Sequence, residues 1–236
     1  MRILRLSRLL TTAIFLLSAV ACPQNRPARA SSGEMHLRIQ PTPSEHRKVA
    51  AVVWLEPLGN TPALPFAPQG HYTLLQKNRT FVPHLQVVPV GSVVQFPNAD
   101  PFFHNVFSRF DGKSFDLGLY EAGSTKSVTF SRSGISYIFC NIHPEMSAVV
   151  ISLSTPLYAI ADATDAVTIR NIPAGDYAMR VWVEGALPPA QQGLSREIKI
   201  SPGMNDLGTI SVPIATNTTH TNEFGKPYDH QPTSQY

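Results

Sequence analysis

Cys140-Asn141-Ile142-His143-Pro144-Glu145-Met146 places a thiol, an imidazole and a thioether three residues apart within one short stretch. Apolar and aromatic residues lead into it (Ile135-Ser136-Tyr137-Ile138-Phe139), and Ala148-Val149-Val150-Ile151 leads out. This reads as two strands joined by a loop. A second imidazole stands upstream in Phe103-His104-Asn105-Val106-Phe107-Ser108. It follows the strand-turn-strand pattern Pro89-Val90-Gly91-Ser92-Val93-Val94-Gln95-Phe96-Pro97 and is expected in a loop. Strands that leave and re-enter at one end bring position 104 to positions 140–146. Two His, one Cys and a weak axial Met form the trigonal ligand set of copper sites that pass single electrons. Soft sulfur suits Cu(I), and imidazole suits both oxidation states.

The chain has only two cysteines, Cys22 and Cys140, and the first lies in an export signal. Residues 1–30 hold Arg2, Arg5, Arg8, Arg26 and Arg29 and no acid. The apolar stretch 9–21 is short and interrupted, so it reads as a signal peptide rather than a membrane span. Arg5 and Arg8 are not adjacent, which favours general secretion over a twin-arginine route. One cut falls after Ala30. The other falls after Ala19-Val20-Ala21 and makes Cys22 a candidate for lipidation. Beyond the signal, Cys140 is a lone thiol in an oxidising compartment, and a bound metal would account for it.

Charge follows the cut. A net +3 loses three arginines with residues 1–21, leaving zero, or five with residues 1–30, leaving −2. No basic footprint for nucleic acid remains. The expected location is periplasmic, touching membrane only through a lipid on Cys22.

The rest reads as all-β. Proline is frequent (21 residues), charge is low (15%), and no segment keeps a helical apolar period. Strand-like runs fall at 50–55, 85–90, 92–96, 127–130, 135–140, 148–153, 166–169 and 177–183. Residues 214–236 lack apolar mass and read as a disordered tail. Removing 1–30 and 214–236 from 236 residues leaves 183, room for two small β-sandwiches.

His104-Asn105-Val106 with Cys140-x-x-His143-x-x-Met146, together with Tyr137-Ile138-Phe139, resembles the cupredoxins, the plastocyanin and amicyanin group of blue copper proteins. The resemblance covers about residues 72–153. It implies a Greek-key β-sandwich with one type 1 copper per chain, held by His104, Cys140 and His143, with Met146 axial. It also implies that Asn105 bonds across to the cysteine loop. His143 would be the ligand nearest solvent, with Phe102, Phe103 and Pro144 as an apolar docking face around it. Ile169-Arg170-Asn171-Ile172-Pro173-Ala174-Gly175-Asp176-Tyr177 resembles the Pro-x-Gly-x-Tyr strand pair of transthyretin-like, carboxypeptidase-regulatory-like sandwiches of Ig-like build. Ala51-Val52-Val53-Trp54-Leu55 fits that family's earlier strand. The implied organisation is a copper domain at 71–153 set between 34–62 and 155–212 of the second sandwich. Some bacterial proteins of the methylamine utilisation type look similar over both parts.

His84 reads as a hydrogen-bonded strand-end residue. His36, His46 and His71 follow no ligand spacing and read as solvated, and His220 and His230 fall in the tail. Trp54 and Trp182 read as core aromatics of the second sandwich. Zinc would want a fourth strong ligand in place of Met146. There is no Ser-His-Asp order, carboxylate pair or phosphate loop in a supporting context. The expectation is a non-enzymatic electron carrier serving a redox protein such as a cytochrome c or a periplasmic dehydrogenase. Copper delivery without redox cycling, and a mononuclear copper enzyme with an open coordination position, are the rival readings.

Overall fold

The computed structural model describes residues 32–42, 49–109 and 112–215. The signal segment with Cys22, and also His46, His220 and His230, lie outside the described residues. The strands are β1 (Ser32–Thr42), β2 (Ala51–Pro57), β3 (Tyr72–Thr73), β4 (Leu75–Lys77), β5 (Thr80–Val82) and β6 (Leu85–Pro89). There follow β7 (Ser92–Pro97), β8 (His104–Arg109), β9 (Ser114–Tyr120), β10 (Thr125–Phe130), β11 (Gly134–Phe139) and β12 (Ser147–Leu153). The last are β13 (Tyr158–Ile160), β14 (Ala166–Pro173), β15 (Gly175–Val183), the short helix α1 (Pro188–Gly193), β16 (Arg196–Ile200) and β17 (Gly203–Pro213).

These strands make a predominantly β, multi-sheet architecture. The larger sheets run β14-β1-β17, β13-β2-β15-β16, β6-β12-β11-β8-β9 and β10-β7-β3, with β4-β5 as a separate hairpin. Among the described residues, strands within 72–153 pair with one another, and strands of 32–57 pair with those of 158–213.

Alternation along the strands stacks the four larger sheets in layers, because successive side chains point to opposite faces. β1 turns Met35, Leu37 and Ile39 inward. They meet Ala51, Val53 and Leu55 of β2 and Tyr177, Met179, Val181 and Val183 of β15 in one buried cluster. The opposite face of β2 and β15 carries Val52 and Trp182, which pack on Val87, Val149, Ile151 and Leu153. The other face of β12 gives Ala148 and Val150 to a third cluster, with Val94, Phe96, Val106, Phe130, Ile138 and Cys140. β12 is therefore covered on both sides, which explains why residues 148–151 read as a continuous apolar run rather than an alternating one.

Tyr177 explains its motif physically. Its hydroxyl donates to the Pro173 carbonyl at 2.8 Å, pinning the β14–β15 corner. Gly175 is required there, since a Cβ would stand 2.5 Å from Thr61 Oγ1.

Three expectations change. His104 opens β8 instead of sitting in a loop, because its neighbours pair with β9, with His104 opposite Tyr120. Trp182 is buried, but in the layer facing β6 and β12 rather than in the cluster under β1. His36 is half-buried, 3.1 Å from Glu34 and 3.4 Å from the Thr168 hydroxyl, rather than freely solvated. At the end of the described residues, Ile214 and Ala215, expected in the tail, are tied in: Ile214 bridges to Ala186 and the Ala215 N–H reaches the Gly185 carbonyl.

Candidate metal centre

β8 and β11 run antiparallel with Phe107 opposite Phe139. Continuing that register past Phe139 brings 140–142 alongside 104–106. The Asn141 N–H accordingly donates to Asn105 Oδ1 at 3.3 Å. The Asn105 amide in turn donates to Asp116 Oδ1 at 2.8 Å, which holds its orientation. The loop between β11 and β12 closes on itself. Cys140 N–H donates to the Met146 carbonyl (3.1 Å) and Met146 N–H to the His143 carbonyl (3.0 Å). One short stretch thus returns both sulfur side chains to the buried end of the sheet, where Cys140 and Met146 are each 0% exposed.

Cys140 Sγ lies 3.5 Å from His143 Nδ1 and 3.8 Å from His104 Nδ1. Those three donor atoms all fall within 4.8 Å of one another. An ion bonded at about 2.0–2.3 Å to N and S ligands in a trigonal plane would separate them by about 3.5–3.8 Å. The spacing fits a metal without rearrangement, and it also admits an S–H···N hydrogen bond in the metal-free protein. Soft thiolate with two imidazoles is the donor set that copper favours over harder ions. Cys140 forms no disulfide.

His104 is wholly buried, and its Nε2 lies 2.8 Å from Asp100 Oδ2. His143 is half-buried and lies nearer solvent. Burial pushes its imidazole down to about 4, reinforced by charge at His104 and Arg79 and opposed by Asp100. Its lone pair is thus available at neutral pH. Burial raises the Cys140 thiol, while backbone N–H groups of Asn105, Ile142 and His143 work to lower it. A metal would have to displace that proton. The Asp100 carboxyl lies below its usual range. Burial works to raise it, but the Arg79 amide, the His104 ring and the Asn78 amide together outweigh that.

Phe102 is half-buried, with its ring 5.3 Å from that of His104 and 5.7 Å from that of His143. It props the ligands more than it faces solvent. Phe103 is 55% exposed, and Pro144 is also exposed. Ile142 (45%) and Leu119 (60%) are exposed apolar residues that sequence reading did not select. His84 precedes β6, with Nδ1 3.1 Å from the Ser147 carbonyl and Nε2 2.6 Å from Glu184 Oε1. His71 is exposed. Sequence reading also missed Asp100, Asn78 and Arg79. The one available signal was Asn98-Ala99-Asp100, an Asx-rich turn in which the Asp100 N–H donates to Asn98 Oδ1 at 3.0 Å.

No family model matches this sequence, and no curated protein matches it. Among solved structures there is low-identity likeness to copper-containing and cupredoxin-type proteins. A Cu-containing nitrite reductase (NirK) from Thermus scotoductus SA-01 is 24% identical over 42% of this chain and 25% of that chain, with TM-score 0.34. A purple cupredoxin from Nitrosopumilus maritimus is 22% identical over 36% of this chain and 100% of its own, with TM-score 0.32. Amicyanin from Paracoccus versutus is 21% identical over 37% of this chain and 85% of its own, with TM-score 0.33. The match thus spans a quarter of the nitrite reductase chain.

Proposed function

We propose that this chain is an exported cupredoxin-type blue copper protein that carries single electrons between periplasmic redox partners. The observation that carries the reading is the buried Cys140 Sγ with two imidazole Nδ1 atoms at 3.5 and 3.8 Å. Copper bound there would supply reversible one-electron exchange between Cu(II) and Cu(I).

The chain's own residues do the rest. Cys140, His104 and His143 would hold the metal, and buried Met146, in the same loop, would supply a weak thioether ligand. The hydrogen bonds within 140–146 and the Asn105–Asn141 link fix the loop, so that neither oxidation state draws the ligands apart. Phe102 keeps water from the faces of both imidazoles. His143, nearer solvent, is the edge through which electrons enter and leave. With both imidazoles, the thiolate and Met146 as ligands, copper here would have no open position for a substrate, which favours an electron carrier over an enzyme.

The copper module occupies 71–153. It sits between the two runs, 34–62 and 155–212, of a second, transthyretin-like sandwich of Ig-like build. Support comes from strand pairing, which keeps 72–153 apart from 32–57 and 158–213, and from the Tyr177–Pro173 corner. No helix among the described residues is long and apolar enough to cross a membrane.

Absorption and EPR spectra of the Cu(II)-loaded full chain test the reading. Intense visible thiolate-to-copper absorption at one copper per chain is expected, and Cys140→Ser should abolish it while leaving the β fold. A colourless Cu(II) protein, or stoichiometric zinc after native purification, would overturn it. Binding of an exogenous ligand to the oxidised protein would favour the enzyme reading instead.

A further inference from the structure

Asp100 is 5% exposed, yet its carboxylate takes three donors. The Asn78 N–H reaches Oδ1 at 2.6 Å, and the Arg79 N–H reaches Oδ2 at 2.9 Å. The third is His104, whose Nε2 stands 2.8 Å from Oδ2. Asn78 and Arg79 form the turn between β4 and β5, and both are left-handed, at φ 56° and 55°. Successive residues of that kind are uncommon without glycine. Here the turn aims two neighbouring amides at one anion, which is how a backbone nest holds negative charge. The Thr80 hydroxyl fastens the turn to the Lys77 carbonyl at 2.7 Å. From the same turn, the Arg79 guanidinium lies 5.3 Å above the Phe102 ring, which packs on both site histidines.

We propose that Asp100, anchored by the Asn78-Arg79 turn, is a positioning residue that locks His104 as the Nε2–H tautomer, with the Nδ1 lone pair turned to the site, and biases the site toward the more positive oxidation state of its metal. The second half rests on the copper reading above. The first does not.

The chemistry is direct. An ionised carboxylate only accepts, and a neutral imidazole has a single N–H. In the neutral ring the proton of His104 therefore sits on Nε2, and the lone pair on Nδ1 faces Cys140. A ligand imidazole that donates its far N–H to a carboxylate is held in orientation and made a stronger electron donor. The oxidised metal carries one more positive charge than the reduced one. A fixed negative charge behind His104 favours it, and burial leaves that charge poorly screened. If Asp100 only tied the turn to residues 98–103, removing its charge would leave the potential of the site unchanged. That difference makes the two roles separable.

The test uses the full chain. First, ring ¹⁵N NMR of His104 is recorded in the metal-free wild-type protein. A pure Nε2–H tautomer is expected, and an Nδ1–H or mixed tautomer overturns the proposal whatever metal the protein carries. Second, Asp100→Asn removes the charge and, with its amide oxygen in the Oδ2 position, keeps the acceptor for Arg79 and His104 while giving up the one for Asn78. Its Cu(I)-to-Cu(II) affinity ratio should rise about tenfold over wild type, equal to about 59 mV in potential for one electron. An unchanged potential with an intact copper spectrum overturns the electrostatic half. A wild-type protein without a thiolate–copper spectrum defeats the copper reading and with it that half, while the tautomer still decides whether Asp100 positions His104.

Discussion

The Trp182 indole N–H donates to the Tyr137 hydroxyl at 2.9 Å, joining β15 to β11, the strand that leads into Cys140. Both residues belong to the layer shared with Val52, Val87, Val149 and Ile151, so the bond crosses between the two groups of sheets. Trp182 is 1% exposed. Trp182→Ala should therefore cost about 3–5 kcal/mol, as large aromatic truncations in cores do. Trp182→Phe keeps most of the packing but removes this hydrogen bond, and should cost about 0.5–1.5 kcal/mol. Chemical denaturation of both variants checks this. A double-mutant cycle with Tyr137→Phe should show coupling of about 0.5–1.5 kcal/mol, and strict additivity would mean that the bond contributes nothing.

Asn105 bridges two ligand segments that are 36 residues apart, accepting from Asn141 and donating to Asp116. Asn105→Ala leaves all four proposed ligands in place but frees the loop at Asn141. Copper retention should weaken about 10–100-fold. Competition with a chelator measures it, and wild-type affinity in the variant would reduce Asn105 to a turn residue.

His84 and Glu184 give a pH signature to the same boundary between sheets. The Glu184 hydrogen bond raises the His84 pKa above 6.5, against the opposing effect of burial and with smaller help from charge and the Ser147 carbonyl. The folded protein thus holds this proton more tightly than the unfolded chain. The stabilisation is complete below pH 6.5 and is lost as pH rises through the raised folded-state value. Both groups are partly exposed, so the effect is modest. Glu184→Gln should lower Tm at pH 5.5 and change it less at pH 9. An equal loss at both pH values would show that protonation of His84 plays no part.

Why some of this was legible in sequence follows from particular residues. β7, β12 and β15 announce themselves through apolar runs that the layers bury. β8 does not, because the fold buries His104, Asn105 and Ser108, which read as polar loop residues when taken alone. β9 and β17 are largely exposed and carry Gly118 and Gly208 at positive φ, so they lack an apolar signal. Cys140, His143 and Met146 show a spacing because one loop holds them. Asp100 and Arg79 show none, since their roles arise only when the β4–β5 turn packs against residues 98–103, about twenty positions away. Trp182 looked like core in either reading. Which core it served depended on the face of β15, and a strand buried on both sides hides that choice.

Phe103, Ile142 and Pro144 are exposed beside ligand residues, and Leu119 of β9 pairs with Asn105. A small apolar face of this kind suits a transient redox partner, because it excludes water at contact yet buries too little area to hold the complex. Phe102 is the wrong residue to probe it. Its ring packs on both histidines, so a charge there would disturb the site as well as the surface. Phe103→Asp is the cleaner choice. It should slow the second-order reduction of the copper-loaded chain by a c-type cytochrome about tenfold, because the new carboxylate must be desolvated at contact. The visible spectrum should stay at the wild-type position, since Phe103 makes no contact that holds a ligand ring. Stopped-flow mixing at fixed ionic strength measures both. If the rates are equal and the spectra intact, this face is not where the partner docks, and the exposed sheet β14-β1-β17 becomes the surface to mutate next.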